Sequence, residues 1–254
     1  MNVQLLGPVE LRGADGRPRP IMPRLQCMLA ALAMTPRRPV PTETLVGWLW
    51  GDEHPHNVRE SLYTHASRLR SHVEQAGGVL RRGSGGYVLD IDPDRVDLHR
   101  SRRLAAEARA AAAAPSGGER AARLWREACE LWRATPLAGL PGDWAARVRD
   151  GLDQERLTLL TERFHAELAC GAHESVIDPL SAAHTEYPLA EPLAGLLMLA
   201  LYRSGRLTDA LSVYARLRRR LVDAIGTEPG PDLQELHRRM LRRDPGLLAD
   251  GPAG

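Results

Sequence analysis

The side chains best suited to chemistry are polar groups at helical spacing in residues 57–71. At about 100° per residue, one arc carries short hydroxyl, amide and charged groups: Asn57, Glu60, Thr64, Ser67, Arg68 and Ser71. Arg59 and Arg70 flank this arc on one side, and His65 and His72 flank it on the other. Guanidinium groups pair with guanine edges, and hydroxyls bond phosphate oxygens. This face therefore predicts recognition of DNA, with an ordinary solvated helix surface as the alternative.

The opposite arc of the same stretch is apolar, as a core-facing helix requires. It consists of Val58, Leu62, Ala66, Leu69 and Val73. Solvated helix faces usually carry Glu/Lys/Arg pairs that support the helix. Ser, Thr and Asn are mediocre helix formers, so a face rich in them calls for a reason other than helix stability.

A basic, glycine-rich segment follows this helix. Val79-Leu80 and Tyr87-Val88-Leu89 are β-prone runs, and the residues between them read RRGSGG. Glycine-rich loops that cradle phosphate open a helix, whereas this loop leads into a strand, which disfavours a nucleotide site. We expect a β-hairpin with Arg81 and Arg82 at its turn, forming a wing that meets DNA phosphates.

The elements before the long helix complete a winged-helix order of strands, three helices and hairpin. The expected ranges are 3–6, 9–12 and 18–21 for strands, and 24–34 and 43–50 for helices. Thr42 is a good N-cap for the second helix, and Gly51 ends it.

After Asp92 the pattern becomes entirely helical. The expected helices are 98–114, 119–134 and 143–170, followed by 173–187, 190–204, 207–225 and 231–243. Gly171 and Gly205 lie 34 residues apart, which is the tetratricopeptide period, and Ala210 and Tyr214 match its small and aromatic positions. Folds of this kind usually bind proteins or peptides in a groove.

The predicted fold class is mainly α with small β. It combines an N-terminal winged helix-turn-helix, which resembles the OmpR/PhoB type, with an all-α, tetratricopeptide-like domain. The expected boundaries are 1–92 for the DNA-binding domain, 97–245 for the helical domain and 246–254 for a flexible tail.

The charge distribution indicates where a DNA surface would lie. All 34 basic residues are Arg. Residues 1–89 hold eleven Arg against seven acidic residues, whereas residues 90–254 hold 23 Arg against 25. Because nucleic-acid affinity comes mainly from cations at phosphates, we expect the DNA face in the first third. No apolar run approaches the roughly 18 residues of a membrane span, and the start does not resemble a signal peptide, so a cytoplasmic, nucleoid-associated location is expected.

An enzyme is the main rival class, and the sequence disfavours it. No GxSxG, HExxH or Walker pattern is present. His54 and His56 lie near acidic residues, but a metal site also needs fixed geometry and a second shell of partners. The isolated Cys27, Cys129 and Cys170 are expected to be buried, reduced thiols. We therefore expect no catalytic residue, cofactor or metal. A protein-interaction module and a ligand-dependent regulator remain as alternatives.

Several longer motifs resemble one known family. They are LLGPVEL, TETLVGWLWG, YTHASRLR, GGYVLDIDPDRVD and LMLALYRSGRLTDALSVYARLRRRLVDAIGTEPGPDLQELH. The chain resembles, over about residues 3–243, the actinobacterial SARP-type transcriptional activators that regulate antibiotic biosynthesis clusters. The resemblance implies a winged helix that binds direct repeats near the promoter −35 element. It also implies a bacterial transcriptional activator domain, a homodimer on DNA and recruitment of the RNA polymerase holoenzyme.

The resemblance also assigns site residues by position. The expected DNA contacts are Arg68, Thr64, His65, Arg70, Ser61, Arg59, Arg81, Arg82, Tyr87 and Trp50. Arg68 is the candidate for a base contact, and Arg82 matches an arginine that reaches the minor groove. Trp50 and Tyr87 match backbone contacts, with core aromatics as the alternative. The chain departs from the family at Tyr63, where a polar Gln is common, and at the acidic Glu60.

Overall fold

The computed structural model describes residues 1–52 and 55–248, which form two compact units. The first unit combines Met1–Leu104 with Glu127–Arg156, and the second combines Ala105–Arg126 with Leu157–Gly254. Each unit is therefore assembled from two separate segments. These units do not coincide with 1–92 and 97–245, so those ranges stay a proposal about domains. Most of the expected tail, 246–254, lies outside the described residues.

A small antiparallel sheet opens the first unit. It consists of β1 (Asn2–Gln4), β2 (Glu10–Arg12) and β3 (Pro18–Arg19), in that order. Val3 pairs with Leu11, and both side chains are buried. Alternation along these short strands places their central residues in the core, because successive side chains point to opposite faces.

Three helices follow: α1 (Pro23–Ala33), α2 (Thr42–Trp50) and α3 (Val58–Gln75). Every residue from Cys27 to Ala33 is buried, because α1 contacts both α2 and α3. The expected N-cap of α2 is wrong by one residue. Pro41 occupies the N-cap with extended backbone, so Thr42 becomes the first helical residue.

The wing is a two-stranded hairpin, β4 (Val79–Gly83) and β5 (Gly86–Asp90). Arg81 pairs with Val88 and Arg82 with Tyr87, so both arginines lie within β4. The expectation that they lie at the turn is therefore wrong; Ser84 and Gly85 form the turn. The first strand extends three residues beyond the expected Val79-Leu80 run, and its pairing ends with Gly83 opposite Gly86.

Val40, in the chain before α2, forms an isolated antiparallel bridge with Tyr87 of the hairpin. The Val40 N–H donates to the Tyr87 carbonyl at 2.9 Å, and the Tyr87 N–H donates to the Val40 carbonyl at 3.0 Å. Gly86 has a φ of +129°, and a Cβ at this position would overlap the Val40 carbonyl oxygen. Only glycine satisfies both conditions, so its place beside the turn is set by the close approach of the backbone.

The largely covered carboxylate of Asp97 joins the segment after β1 to the helix α4 (Asp97–Ala112). The Asp97 carboxylate accepts the N–H of Leu5 at 2.7 Å and of Leu6 at 3.1 Å, and Arg133 contacts it at 3.4 Å. Burial raises the pKa of Asp97, while these hydrogen bonds and Arg133 act in the opposite direction. Asp97 is therefore a structural residue of the first unit.

The remaining helices are α5 (Gly118–Glu130), α6 (Asp143–Ala169), α7 (Ile177–Glu186), α8 (Glu191–Arg203), α9 (Leu207–Ile225) and α10 (Pro231–Leu241). From α7 to α10, consecutive helices pack on one another. Gly171 and Gly205 both have positive φ, +78° and +76°, as turn glycines require. The predicted fold class, mainly α with small β, is confirmed. Among the described residues, no helix has both the length and the apolar character of a membrane span.

Candidate nucleic-acid interface

Helix α3 divides into a buried face and a polar face. Leu62, Ala66, Leu69 and Val73 are buried, as their spacing predicts, whereas Val58 is only half-buried. The apolar residues fix the rotation of the helix, and the opposite arc must then face solvent. Its exposed members are Arg59, Glu60, Tyr63, Thr64, Ser67, Arg68 and Ser71.

Arg68 is the cation most available to a partner on this face. Its side chain is exposed and forms no hydrogen bond or ion pair with any described residue. Exposed Ser67 precedes it, and exposed Thr64 lies one helical turn away. An arginine carries five N–H donors in a planar fork, so an unpaired one on a convex helix can approach a base edge or a phosphate.

The start of the helix holds its own polar contacts. Asn57 donates from its amide to Glu60 at 3.2 Å, and the Thr64 hydroxyl donates to the Glu60 carbonyl at 3.0 Å. Arg59 pairs with Glu43 at 3.3 Å, with 71% and 73% of the two side chains exposed. Such an exposed pair contributes little, so Arg59 can exchange Glu43 for another anion.

His65 and Trp50 form one edge of the polar face. The His65 Nδ1 lies 2.6 Å from the Ser61 carbonyl oxygen, which can only accept, so Nδ1 carries a proton. In the neutral ring, Nε2 is then left as an acceptor. The Trp50 ring meets His65 edge-on at 5.7 Å, and Arg24 lies 5.5 Å from the Trp50 ring centre. Trp50 is half-buried and keeps part of its surface at this edge.

Arg70 fastens the helix to the wing. Its Nε donates to the Leu80 carbonyl at 3.0 Å, and the side chain is half-buried. The sequence placed Arg70 among the DNA contacts without any sign of this bond. The structure therefore gives Arg70 a role inside the first unit whether or not its outer nitrogens reach DNA.

The two wing arginines have different partners. Arg81 pairs across the hairpin with Asp90, and Arg37 lies 3.6 Å from the same carboxylate. Arg82 instead donates to the Tyr63 hydroxyl at 2.8 Å, and its guanidinium carbon lies 4.4 Å from the Tyr63 ring centre. Sequence reasoning missed the pairing between Tyr63 and Arg82, although both residues were singled out separately.

Tyr87 lies in the core, with 1% of its surface exposed. Burial raises its pKa, and the nearby positive charges of Arg82 and Arg70 oppose that rise. The core role is the alternative that the sequence left open for this residue. A side chain this buried does not present its ring to the face formed by α3 and the wing.

Metal and thiol chemistry receives no support from the described residues. Among them, no group of three or more His, Cys, Asp or Glu is placed to hold a metal ion, and the His54 candidate lies outside the described ranges. Cys27 and Cys129 are buried, and burial raises the pKa of Cys27 to about 11. Cys170 is exposed, so the expectation of three buried thiols is wrong for that residue. It directly follows α6, where the chain turns at Gly171.

The first unit contains a three-stranded sheet, three helices and a hairpin, which together define a winged helix-turn-helix protein. The fold is similar to that of Mycobacterium tuberculosis EmbR, whose structure was solved in complex with a low affinity phosphopeptide. The TM-score is 0.89 at 34% identity, and the match covers 96% of this chain and 65% of the EmbR chain.

Sequence comparison extends the likeness across the whole chain. The model of the bacterial transcriptional activator domain matches residues 96–241. The regulatory protein DnrI of Streptomyces peucetius is 34% identical, over 99% of this chain and 96% of its own length. The transcriptional regulator RedD of Streptomyces coelicolor is 35% identical, over 97% and 72%. This chain belongs to the SARP family of transcriptional regulators.

Family members differ greatly in length. The regulatory protein AfsR of Streptomyces coelicolor is 42% identical over 89% of this chain, but that match spans only 22% of AfsR. The chain therefore corresponds to about a fifth of that relative and to nearly all of DnrI.

Proposed function

We propose that this chain is a sequence-specific DNA-binding transcriptional activator of a secondary-metabolite gene cluster. In this proposal it binds direct repeats near the −35 element and recruits RNA polymerase. The observation that carries the proposal is the unpaired, exposed Arg68 at the centre of a polar helix face, beside a wing that holds further arginines. Membership of a family of transcriptional regulators supports the same conclusion.

Helix α3 would lie in the major groove with the wing alongside it, as recognition helices do. Arg68 can donate two parallel hydrogen bonds to the O6 and N7 of a guanine. Thr64 and Ser67 would contact phosphates or neighbouring base edges. Arg59 would exchange its exposed pair with Glu43 for a phosphate.

The residues at the margin would position the protein without reading sequence. Arg81 and Arg37 share Asp90, which leaves one positive charge in excess for a phosphate. Ser61 and His65 of α3, with Trp50 at the end of α2, would contact the DNA backbone. Arg70 would contribute mainly by holding the wing to the helix, and we leave the buried Tyr87 out of the contact set.

The helical unit would carry the second half of the activity. Direct repeats call for two copies of the chain on one promoter, so we propose a homodimer on DNA. A tetratricopeptide-like array offers a protein-binding surface, which fits the RNA polymerase holoenzyme as the partner. The proposal includes no catalytic step, and a protein that works on promoters would act in the cytoplasm at the nucleoid.

The decisive experiment compares Arg68→Ala with the wild type on DNA fragments selected from the genome. We expect a loss of about 1–3 kcal/mol at one base pair of the operator, with relaxed specificity at that pair. Arg123→Ala is the matched control, because it removes an exposed arginine in the second unit. Unchanged operator binding by Arg68→Ala would show that the recognition face lies elsewhere.

Salt separates this proposal from a protein-interaction module or a ligand-dependent regulator. If phosphate contacts dominate, the logarithm of the binding constant falls steeply and linearly with the logarithm of the salt concentration. A folded protein that enriches no DNA sequence at low salt would favour the interaction module. Enrichment that appears only when a small molecule is added would favour the ligand-dependent regulator.

A further inference from the structure

One side chain on the DNA-facing surface of α3 is a large aromatic among short polar groups. Tyr63 is 39% exposed, whereas its helical neighbours Thr64 and Ser67 are small and polar. Its hydroxyl and its ring both contact Arg82 of the wing, which lies 19 positions further along the chain.

Arg82 makes two contacts with this single tyrosine. Its Nη2 donates to the phenol oxygen at 2.8 Å, and its guanidinium carbon lies 4.4 Å from the ring centre. The hydrogen bond fixes the direction of the guanidinium, and the attraction to the ring face fixes its height above α3. Two restraints of this kind order a side chain that would otherwise sample many rotamers.

The choice of partner leaves the charge of Arg82 available. Arg81, its neighbour on β4, pairs with the Asp90 carboxylate, which offsets its charge. A tyrosine hydroxyl accepts a hydrogen bond from a guanidinium without supplying the negative charge that a carboxylate would. Arg82 is therefore both ordered and cationic, and its other N–H groups have no hydrogen-bond partner among the described residues.

We infer that Tyr63 is a positioning residue that holds the Arg82 guanidinium ready for DNA and joins the wing to α3 as one rigid binding surface. The inference rests on the proposed DNA-binding function and adds a role that acts through Arg82. The Arg82 side chain has already lost conformational entropy in the free protein, so less entropy is lost when DNA binds. Tyr63 itself need not touch DNA.

A double-mutant cycle on operator DNA tests this role. The four proteins are the wild type, Tyr63→Ala, Arg82→Ala and the double variant. We expect Tyr63→Ala to weaken operator binding about 3- to 10-fold and Arg82→Ala by at least as much. In the Arg82→Ala background, Tyr63→Ala should have less than about a 2-fold effect, because the side chain it positions is gone.

Salt dependence and a conservative variant sharpen the result. Arg82→Ala should reduce the salt slope by about one, whereas Tyr63→Ala should leave it unchanged. Tyr63→Phe keeps the ring contact but loses the hydrogen bond, so its affinity should lie between those of the wild type and Tyr63→Ala. Equal losses from Tyr63→Ala in both backgrounds would show direct contact with DNA and would overturn the inference.

A measurement on the free protein separates this inference from the proposed function. The ring of Tyr63 should shift the NMR resonances of the Arg82 guanidinium, and Tyr63→Ala should remove that shift while the hairpin amides stay in place. If the wild type shows no such shift, the inference fails even when DNA binding is strong. If the wild type binds no DNA, the proposed function fails, and the inference fails with it.

Discussion

Arg68, Arg70 and Arg82 carry the same guanidinium group, and their neighbours give each a different role. Arg68 has no partner among the described residues, Arg70 donates to a backbone carbonyl, and Arg82 stacks on a phenol ring. An arginine bound to a carbonyl is held in place by its own protein. We expect substitution of Arg68 and Arg82 to change DNA binding most directly, whereas Arg70 should act mainly by holding the wing to α3.

A buried histidine in the second unit should make stability depend on pH. His184 is 6% exposed, and neither ring nitrogen has a hydrogen-bond partner among the described residues. Burial lowers its pKa below the usual 6.5, and the positive charges of Arg216 and Arg220 lower it further. The unfolded chain therefore binds a proton more readily than the folded one, and stability falls as pH drops from 6.5 toward the lower folded pKa.

The expected result is a flatter acid limb for His184→Leu than for the wild type. One such group changes the free energy of unfolding by no more than about 1.4 kcal/mol per pH unit. Urea unfolding at several pH values between 7.5 and 5 measures it. His165→Leu, an exposed histidine in the same unit, is the control. Parallel curves for wild type and His184→Leu would contradict the prediction.

Sequence could place Arg68 on an exposed face, because helical angle depends only on spacing. It could not separate surface from core for Trp50 and Tyr87, because an amphipathic aromatic suits both. The contact between Tyr63 and Arg82 could not be predicted from the sequence either. That contact depends on how β4 is set against α3, which no local pattern encodes.

At the scale of elements, the hairpin depends on one close backbone approach. Gly86 lies against the Val40 carbonyl with a φ of +129°, so an added methyl group meets both backbone strain and overlap. Gly86→Ala should reduce the free energy of unfolding by about 2 kcal/mol or more. Thermal or urea unfolding of the purified variant measures the loss.

Gly83→Ala is the matched control for that change. Gly83 pairs with Gly86 in the same hairpin, but its added methyl group would meet no atom within 4 Å. We expect its effect on unfolding to be within about 0.5 kcal/mol, as for other surface changes. Similar losses for the two variants would mean that hairpin composition, and not the Val40 contact, sets the cost.

Some element boundaries follow from local pattern and others from distant partners. The expected helix 207–225 matches α9, whose buried Ala210, Val213, Leu217 and Leu221 repeat at helical spacing. The expected helix 119–134 instead ends at Glu130. Beyond it, the Arg133 N–H donates to the Leu6 carbonyl and the Leu137 N–H to the Leu5 carbonyl. Those backbone bonds replace further helical turns.

At the scale of the whole molecule, DNA binding and activation should be separable by substitution in the second unit. Tyr214 stacks on His237 with ring centres 3.9 Å apart and planes 5° apart. Tyr214→Ala should spare operator affinity and reduce transcription from the target promoter several-fold, because it alters only the proposed polymerase-binding unit. The measurements are operator binding and transcription with purified polymerase.

Tyr214→Phe is the control, since it keeps the stacked ring. Loss of the stack should cost about 0.5–1.5 kcal/mol of stability, so unfolding curves must show that the Ala variant is still folded. Full activation by folded Tyr214→Ala would place the polymerase contact elsewhere. Loss of DNA binding by the same protein would show that the two activities are not separable at this residue.

The first unit depends on contacts with residues beyond position 92, in helix α4 and in the segment Glu127–Arg156. Asp97 holds the N–H groups of Leu5 and Leu6, the Trp132 indole donates to Ser101, and Trp144 stacks on Trp48. A gene fragment that stops at residue 92 would omit Asp97, Ser101, Trp132 and Trp144. We therefore expect a fragment of residues 1–92 alone to be less stable than the first unit as a whole, and the proposed DNA-binding surface to depend on the residues that follow it. Changing the target promoter by exchanging side chains on the exposed face of α3 leaves those partners in place and offers the easier route to altered specificity.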